Sequence, residues 1–518
     1  MKFFRLLLPW LGLLAAARGD VTLAPLFQDH AVLQRDQPLP VWGHAAPGEH
    51  VTVAFHGQTI GTTATTDGRW IVYLAAMPAS AEPAELVVTG KNTLAVKDVL
   101  VGEVWLASGQ SNMEWPLKSA ANGEHEVAAA NHPQLRIFSV LHHVADQPVE
   151  TITGSWQPCT PESVPMFSAV AYFFARDLQH KLGVPVGVIG SYWGGTPIES
   201  WMSGTTLRSM AAWPAIDARW RKDSADWPAY HLRYPALRAD WGKAEEYAKA
   251  VHAKNPLPWP PPPMGPGTPF EPNGLFNGMI APLQPYGLRG IIWYQGEQNW
   301  PRPEEYAELF PAMIRSWRAQ WGQDNLPFLF VQLANFTVVN DPTNRAWSRL
   351  RDAQAQTLQL PATGMAVTID IGNPRDIHPL NKQDVGRRLA LIAKTQVYGI
   401  PGDFSGPMFA YVTGEHSALR VHFTHAGTGL ISSGKPVQSL EIAGVDKKFY
   451  PATGKIERDT LLVSSPLVKV PLAVRYAWTN APEANLFNGA GLPAAPFRSD
   501  DWDSAPQPAP ASQRANPK

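Results

Sequence analysis

Between residues 101 and 397, short apolar runs alternate with segments of helical period, and this alternation constrains the fold more than any other feature. The runs at 101–107, 184–190, 288–294, 328–333 and 365–371 are nearly unbroken in apolar residues. That is the signature of strands buried on both faces. Residues 167–182, 304–321 and 381–397 carry helical apolar spacing, the last with Val385, Leu389 and Ile392 on one face. Strands alternating with helices imply an α/β fold with a parallel sheet wrapped by helices. In such a sheet the loops that follow the strands open on one edge, so polar loops far apart in sequence are brought together there.

The flanks differ. Residues 20–100 hold short, alternating, β-branched segments punctuated by turns such as Asp67-Gly68, which suggests a small β-sandwich. Residues 404–500 return to strands and predict a second β-domain. The catalytic-type segment is then 101–403, interrupted by a Trp- and Pro-rich insertion at 201–275 that predicts part helix and part proline loop. Its tryptophans suit either a packed helical insert or sugar stacking. Residues 501–518 predict a disordered tail. At the other end, Lys2 and Arg5 precede a 12-residue apolar stretch and Ala17-Arg18-Gly19. Residues 1–19 therefore predict a cleaved export signal, with a secreted or periplasmic product and no membrane attachment after cleavage.

Composition narrows the function. Lys+Arg total 43 against 44 Asp+Glu. This balance lacks the positive excess that nucleic-acid binding uses. The single cysteine, Cys159, excludes an intrachain disulfide and a cysteine-based zinc site.

Four polar loops follow four of the apolar runs. Gly109-Gln110-Ser111-Asn112-Met113 follows the first, and a serine there needs a nearby base to act as a nucleophile. Met113 separates the motif from the Gly-x-Ser-x-Gly elbow. Asp376-Ile377-His378-Pro379 follows the last run and supplies that base, although one histidine among 15 is ordinarily structural. Ser191-Tyr192-Trp193-Gly194-Gly195-Thr196 offers backbone N–H groups, and Gln295-Gly296-Glu297-Gln298-Asn299 offers carboxamides. Both are donors suited to a developing oxyanion. Without company, each loop is equally a cap or a turn.

The motifs carry a resemblance. Gly109-Gln110-Ser111-Asn112-Met113-Glu114-Trp115, Gly194-Gly195, Trp293-Tyr294-Gln295-Gly296-Glu297 with Asn299, and Asp376-Ile377-His378-Pro379 with Asn381-Lys382 resemble in order the sequence blocks of the sialate O-acetylesterase family, within the SGNH hydrolase superfamily. Residues 275–283 and 480–486 resemble the family too. The resemblance implies an SGNH-type doubly wound parallel sheet with flanking β-domains. It implies Ser111 as nucleophile and His378 as general base. The oxyanion donors would be the Ser111 N–H, the Gly194 or Gly195 N–H, and a carboxamide, Gln295 in preference to Asn299.

The triad acid departs from the pattern. The superfamily spacing puts an aspartate at position 375, where this chain has Arg375. Asp376 could orient His378 through an altered loop, or the Arg375 carbonyl could do so in a dyad, with Asp370 a distant third choice. Gln110, Glu114, Trp115, Trp193, Glu297, Trp300 and Arg302 flank the motifs and are expected to meet the substrate. The implied reaction removes an acetyl ester from a sugar or oligosaccharide, sialic acid first and xylan or another plant polysaccharide second, with no metal or cofactor. A non-catalytic carbohydrate-binding protein is the alternative from another class.

Overall fold

The computed structural model describes residues 20–253, 255–257 and 259–502. The export signal expected at 1–19 lies outside the described residues, as does the tail expected at 501–518 apart from its first two residues.

The chain is mixed α/β, built on a large mixed sheet of eleven strands with further antiparallel sheets. The parallel part runs His132–Ser139, Val186–Tyr192, Thr93–Gly109, Gly290–Tyr294, Phe328–Val331, Thr363–Ala366, with Trp156–Cys159 antiparallel at one edge. The chain leaves Thr93–Gly109 toward one side of the sheet, returns to Val186–Tyr192, and then crosses to build the other side. Thr93–Gly109 therefore stands at a topological switch point, where a crevice opens beyond the carboxyl ends of the strands. Every residue of Val186–Tyr192 and Gly290–Tyr294 is buried, as continuous apolar runs require.

Side chains set the ends of the elements. Ser168 caps Ala169–Leu182 by accepting the Ala171 N–H at 3.1 Å, and Asn381 caps Lys382–Ile392 through the Asp384 N–H at 3.0 Å. The strand expected to reach residue 371 stops at Ala366. Beyond it the Arg388 guanidinium takes the Val367 carbonyl at 2.6 Å and pairs with Asp370, while Thr368 Oγ1 donates to the Gln332 carbonyl. Side chains thus replace the sheet ladder.

The boundary expected at residue 100 falls inside a strand. Thr93–Gly109 is 17 residues long. Its first half pairs with Ser80–Thr89 and Val32–Gln34, and its second half with the central parallel strands. One hydrophobic core accordingly runs from Val53 and Leu86 through Leu106 to Ile291. The strands after residue 404 form two four-stranded sheets and one two-stranded sheet around a core of their own, which includes Val421, Ile442 and Val463. The insertion is dominated by one helix, Trp213–Ala250, of 38 residues, with only Ile216 and Ala248 buried. It runs through Pro228 and Pro235, residues that ordinarily kink or end a helix. Among the described residues, no helix is long and apolar enough to cross a membrane.

Candidate active site

Three strand ends meet level at the switch point. Gly109 is in register with Tyr192 on one side and Tyr294 on the other. The Gln110 N–H donates to the Tyr294 carbonyl at 3.0 Å, and the Trp193 N–H donates to the Gly109 carbonyl at 3.1 Å. Gly109 has φ +139°, and a Cβ there would lie 2.2 Å from the Tyr294 oxygen, so only glycine fits. The chain turns straight into the short helix Ser111–Glu114. Ser111 is its first residue, so its N–H is among those that a helix leaves without an intrahelical acceptor.

His378 comes from the loop after the far parallel strand, and its Nε2 lies 2.8 Å from Ser111 Oγ. Ser111 donates to Nε2 when the ring proton is on Nδ1. The imidazole stacks on the Trp115 indole, centroids 5.0 Å apart at 21°. Burial first, then the Lys382 charge, hold His378 below the usual histidine range, against Asp376, which raises it. The ring is therefore a neutral proton acceptor at neutral pH.

The acid expected beside it is less well engaged. Asp376 Oδ1 lies 3.7 Å from His378 Nδ1 and instead accepts the His378 backbone N–H at 2.9 Å. Its carboxylate is half exposed, so it supports the loop more than the ring. Asp370 is spent in a two-point pair with Arg388 at 2.7 Å, which removes it from the choice.

The carboxamides correct the sequence expectation. Gln295 is fully buried, and its Nε2 donates to the Thr196 carbonyl at 3.2 Å and to Asn299 Oδ1 at 2.7 Å. Asn299 donates to Glu199 at 2.9 Å and accepts the Ile198 N–H. Both side chains tie two loops together from within, and neither offers the donor foreseen for an oxyanion. The Gly194 backbone approaches the serine closely, since a Cβ on it would lie 3.1 Å from Ser111 Cβ. Its N–H is already given to Glu114 Oε2 at 2.6 Å. Glu114 also meets His142 Nε2 at 3.0 Å, and the His142 ring stacks on Trp193 at 4.0 Å.

Of the other flanking residues, Gln110 is nearly buried and its carbonyl oxygen accepts the Gly296 and Gln298 N–H groups, which sews the serine loop to the carboxamide loop. Glu297 lies inside the protein, where Asn112 Nδ2 donates to it at 2.5 Å, so it is not a sugar contact. Arg302 is occupied by Glu305 at 3.2 Å and Glu199 at 3.5 Å. Trp300 packs against the main core. Trp115 and Trp193 remain half-buried beside the serine and histidine loops.

Asn112, Lys382, His142 and Glu199 were not foreseen as parts of this centre. Asn112 and Lys382 stood inside the quoted motifs without a role, and Lys382 left a further trace in the sequence. It precedes Val385 by three residues and Leu389 by seven, which puts a lysine on the apolar face of its helix.

A serine at a strand end, hydrogen-bonded to a neutral histidine at a switch point, is compatible with ester hydrolysis, and the comparisons give the class as carboxylic ester hydrolase. A family model, described as carbohydrate esterase, sialic acid-specific acetylesterase, matches residues 271–393. The sialate O-acetylesterase of Rattus norvegicus is 30% identical, over 92% of this chain and 93% of its own length. That of Homo sapiens is 29% identical, over 93% of each. The crystal structure of a carbohydrate acetylesterase from Xanthomonas citri matches with a TM-score of 0.79 at 42% identity, covering 93% of this chain and 100% of that one. The chain belongs to the sialate O-acetylesterase family.

Proposed function

We propose that this esterase removes O-acetyl groups from carbohydrate, sialic acid being the first substrate class, through an acetyl-enzyme on Ser111. The observation that carries the reading is the 2.8 Å contact between His378 Nε2 and Ser111 Oγ. His378 takes the Ser111 proton as Oγ bonds to the acetyl carbon. The tetrahedral intermediate collapses, the carbon–oxygen bond to the sugar breaks, and the sugar hydroxyl leaves with the proton from His378. Water then attacks the acetyl-enzyme, giving its proton to His378, and acetate departs as Ser111 is reprotonated. We assign the oxyanion to the Ser111 N–H and the Gly194–Gly195 backbone. Gly194 serves only once the Glu114 carboxylate yields its N–H. Gln295 and Asn299 have no part in this assignment, because their N–H groups are committed inside the loops.

A second reading, acetylated plant polysaccharide such as xylan, draws on the arginines. A sialate carboxylate calls for a positioned cation, and Arg302 already faces two carboxylates. Arg375 is exposed in the His378 loop and is the remaining candidate among those two. Acetate release from acetylated sialic acids and acetylated xylo-oligosaccharides, by wild type and Ser111→Ala, tests both readings. Release abolished by the substitution supports the mechanism, and the preferred half of the panel chooses the substrate. Release that survives Ser111→Ala overturns the mechanism. The leader read in residues 1–19 supports an exported enzyme; an exported product whose N-terminus still carries that leader would count against cleavage.

A further inference from the structure

Behind the Ser111–His378 pair lies a chain of buried polar groups that the reaction as written does not use. Lys382 is fully buried, and its Nζ donates to Asn112 Oδ1 at 2.5 Å. Asn112 Nδ2 in turn donates to the Ile377 carbonyl at 3.0 Å and to Glu297 Oε1 at 2.5 Å. Asn112 follows the serine, and Ile377 precedes the histidine. One carboxamide thus ties the backbone before the base to the helix that presents the nucleophile. An ammonium donates and never accepts, so Lys382 dictates which end of that carboxamide is oxygen and leaves the N–H₂ end for Ile377 and Glu297. The same ammonium lies 5.7 Å from the centre of the Trp115 ring, on which His378 stacks, and 5.6 Å from that of Tyr294.

The acceptor of Lys382 is a neutral carboxamide. A buried ammonium so held is costly beside an apolar side chain of similar volume, so packing alone does not account for it. The charged and titratable groups around His378 are Lys382 from the following helix, Asp376 from its own loop, Ser111 and Glu114 from the serine helix, and Glu297 across the carboxamide loop. Burial pushes Lys382 down to about 7 and Glu297 up.

We propose that Lys382 is a positioning residue for the Ser111–His378 pair: held on Asn112, it fixes the loop of the base against the helix of the nucleophile, and its charge keeps the imidazole in its proton-accepting form. This rests on the esterase reading above, and its test does not need turnover. The His378 ring is followed by NMR across pH in wild type, Lys382→Met and Lys382→Gln, the last of which can still donate to Asn112 without charge. In either folded variant the His378 midpoint should rise, because a like charge beside the ring is removed. The acid limb of kcat/KM for acetate release should move the same way. A merely structural lysine would lower activity and leave the midpoint in place. An unmoved midpoint in a folded variant overturns the proposal. Absence of Ser111-dependent acetate release would instead sink the esterase reading and leave the titration intact.

Discussion

The switch-point crevice and the Trp213–Ala250 helix are built on opposite terms. In the crevice the turns and most polar side chains are claimed by a partner from another strand or loop: Gly109 by Trp193, Gln110 by Gly296, Asn112 by Ile377, Gln295 by Thr196. Along the helix, 38 residues bury two side chains, and the main polar tie to the rest of the chain is the two-point pair of Arg219 with Glu305 at 2.6 and 2.9 Å. Position is fixed where side chains from several elements satisfy one another, not where a single element is long and regular.

Substitutions can break or sharpen that contrast. Ser111→Ala should have the largest effect, a loss of at least about 10³-fold in kcat for acetate release with the fold unchanged. Retained turnover would mean that the crevice holds something other than the nucleophile. Gly109→Ala should destabilise by more than about 3 kcal/mol, through its φ and the clash with the Tyr294 carbonyl, read from urea denaturation. Asp376→Asn should cost about tenfold in kcat/KM, far less than a fully engaged triad acid, because the carboxylate stands 3.7 Å from the ring. A loss near 10⁴-fold would show the loop closing onto Nδ1 in the reacting complex. On the helix, Arg219→Ala should cost no more than about 1 kcal/mol, since the pair is partly exposed. Leu232→Ser, at 81% exposure, should lie within about 0.5 kcal/mol of wild type by thermal melting.

The same contrast explains what was legible in the sequence. The apolar runs and the polar loops after them are local patterns, so the parallel sheet and the shared edge that holds Ser111 and His378 follow from them, while the roles of the two residues are what the family resemblance implies. The direction in which a carboxamide turns is not local. Gln295 and Asn299 face Thr196 and Glu199, about a hundred residues earlier, and a chemically suitable donor was therefore placed in the wrong role. The early end of the strand after Thr363 has the same cause, since Arg388 competes for its carbonyl from a later helix. Lys382 could have been singled out, because a lysine in step with Val385 and Leu389 must either snorkel or find a partner inside.

The 17-residue strand Thr93–Gly109 has a consequence for motion. It is hydrogen-bonded along both halves, to N-terminal strands first and to the central parallel strands afterwards. Its amides belong to the part of the molecule that exchanges with solvent only when the whole core opens. Ser111, the nucleophile of the proposed reaction, is mounted two residues past the end of that strand. The backbone beneath Ser111 thus has no low-energy local opening of its own, and the motions that admit a substrate fall to the His378 loop and the side chains around it.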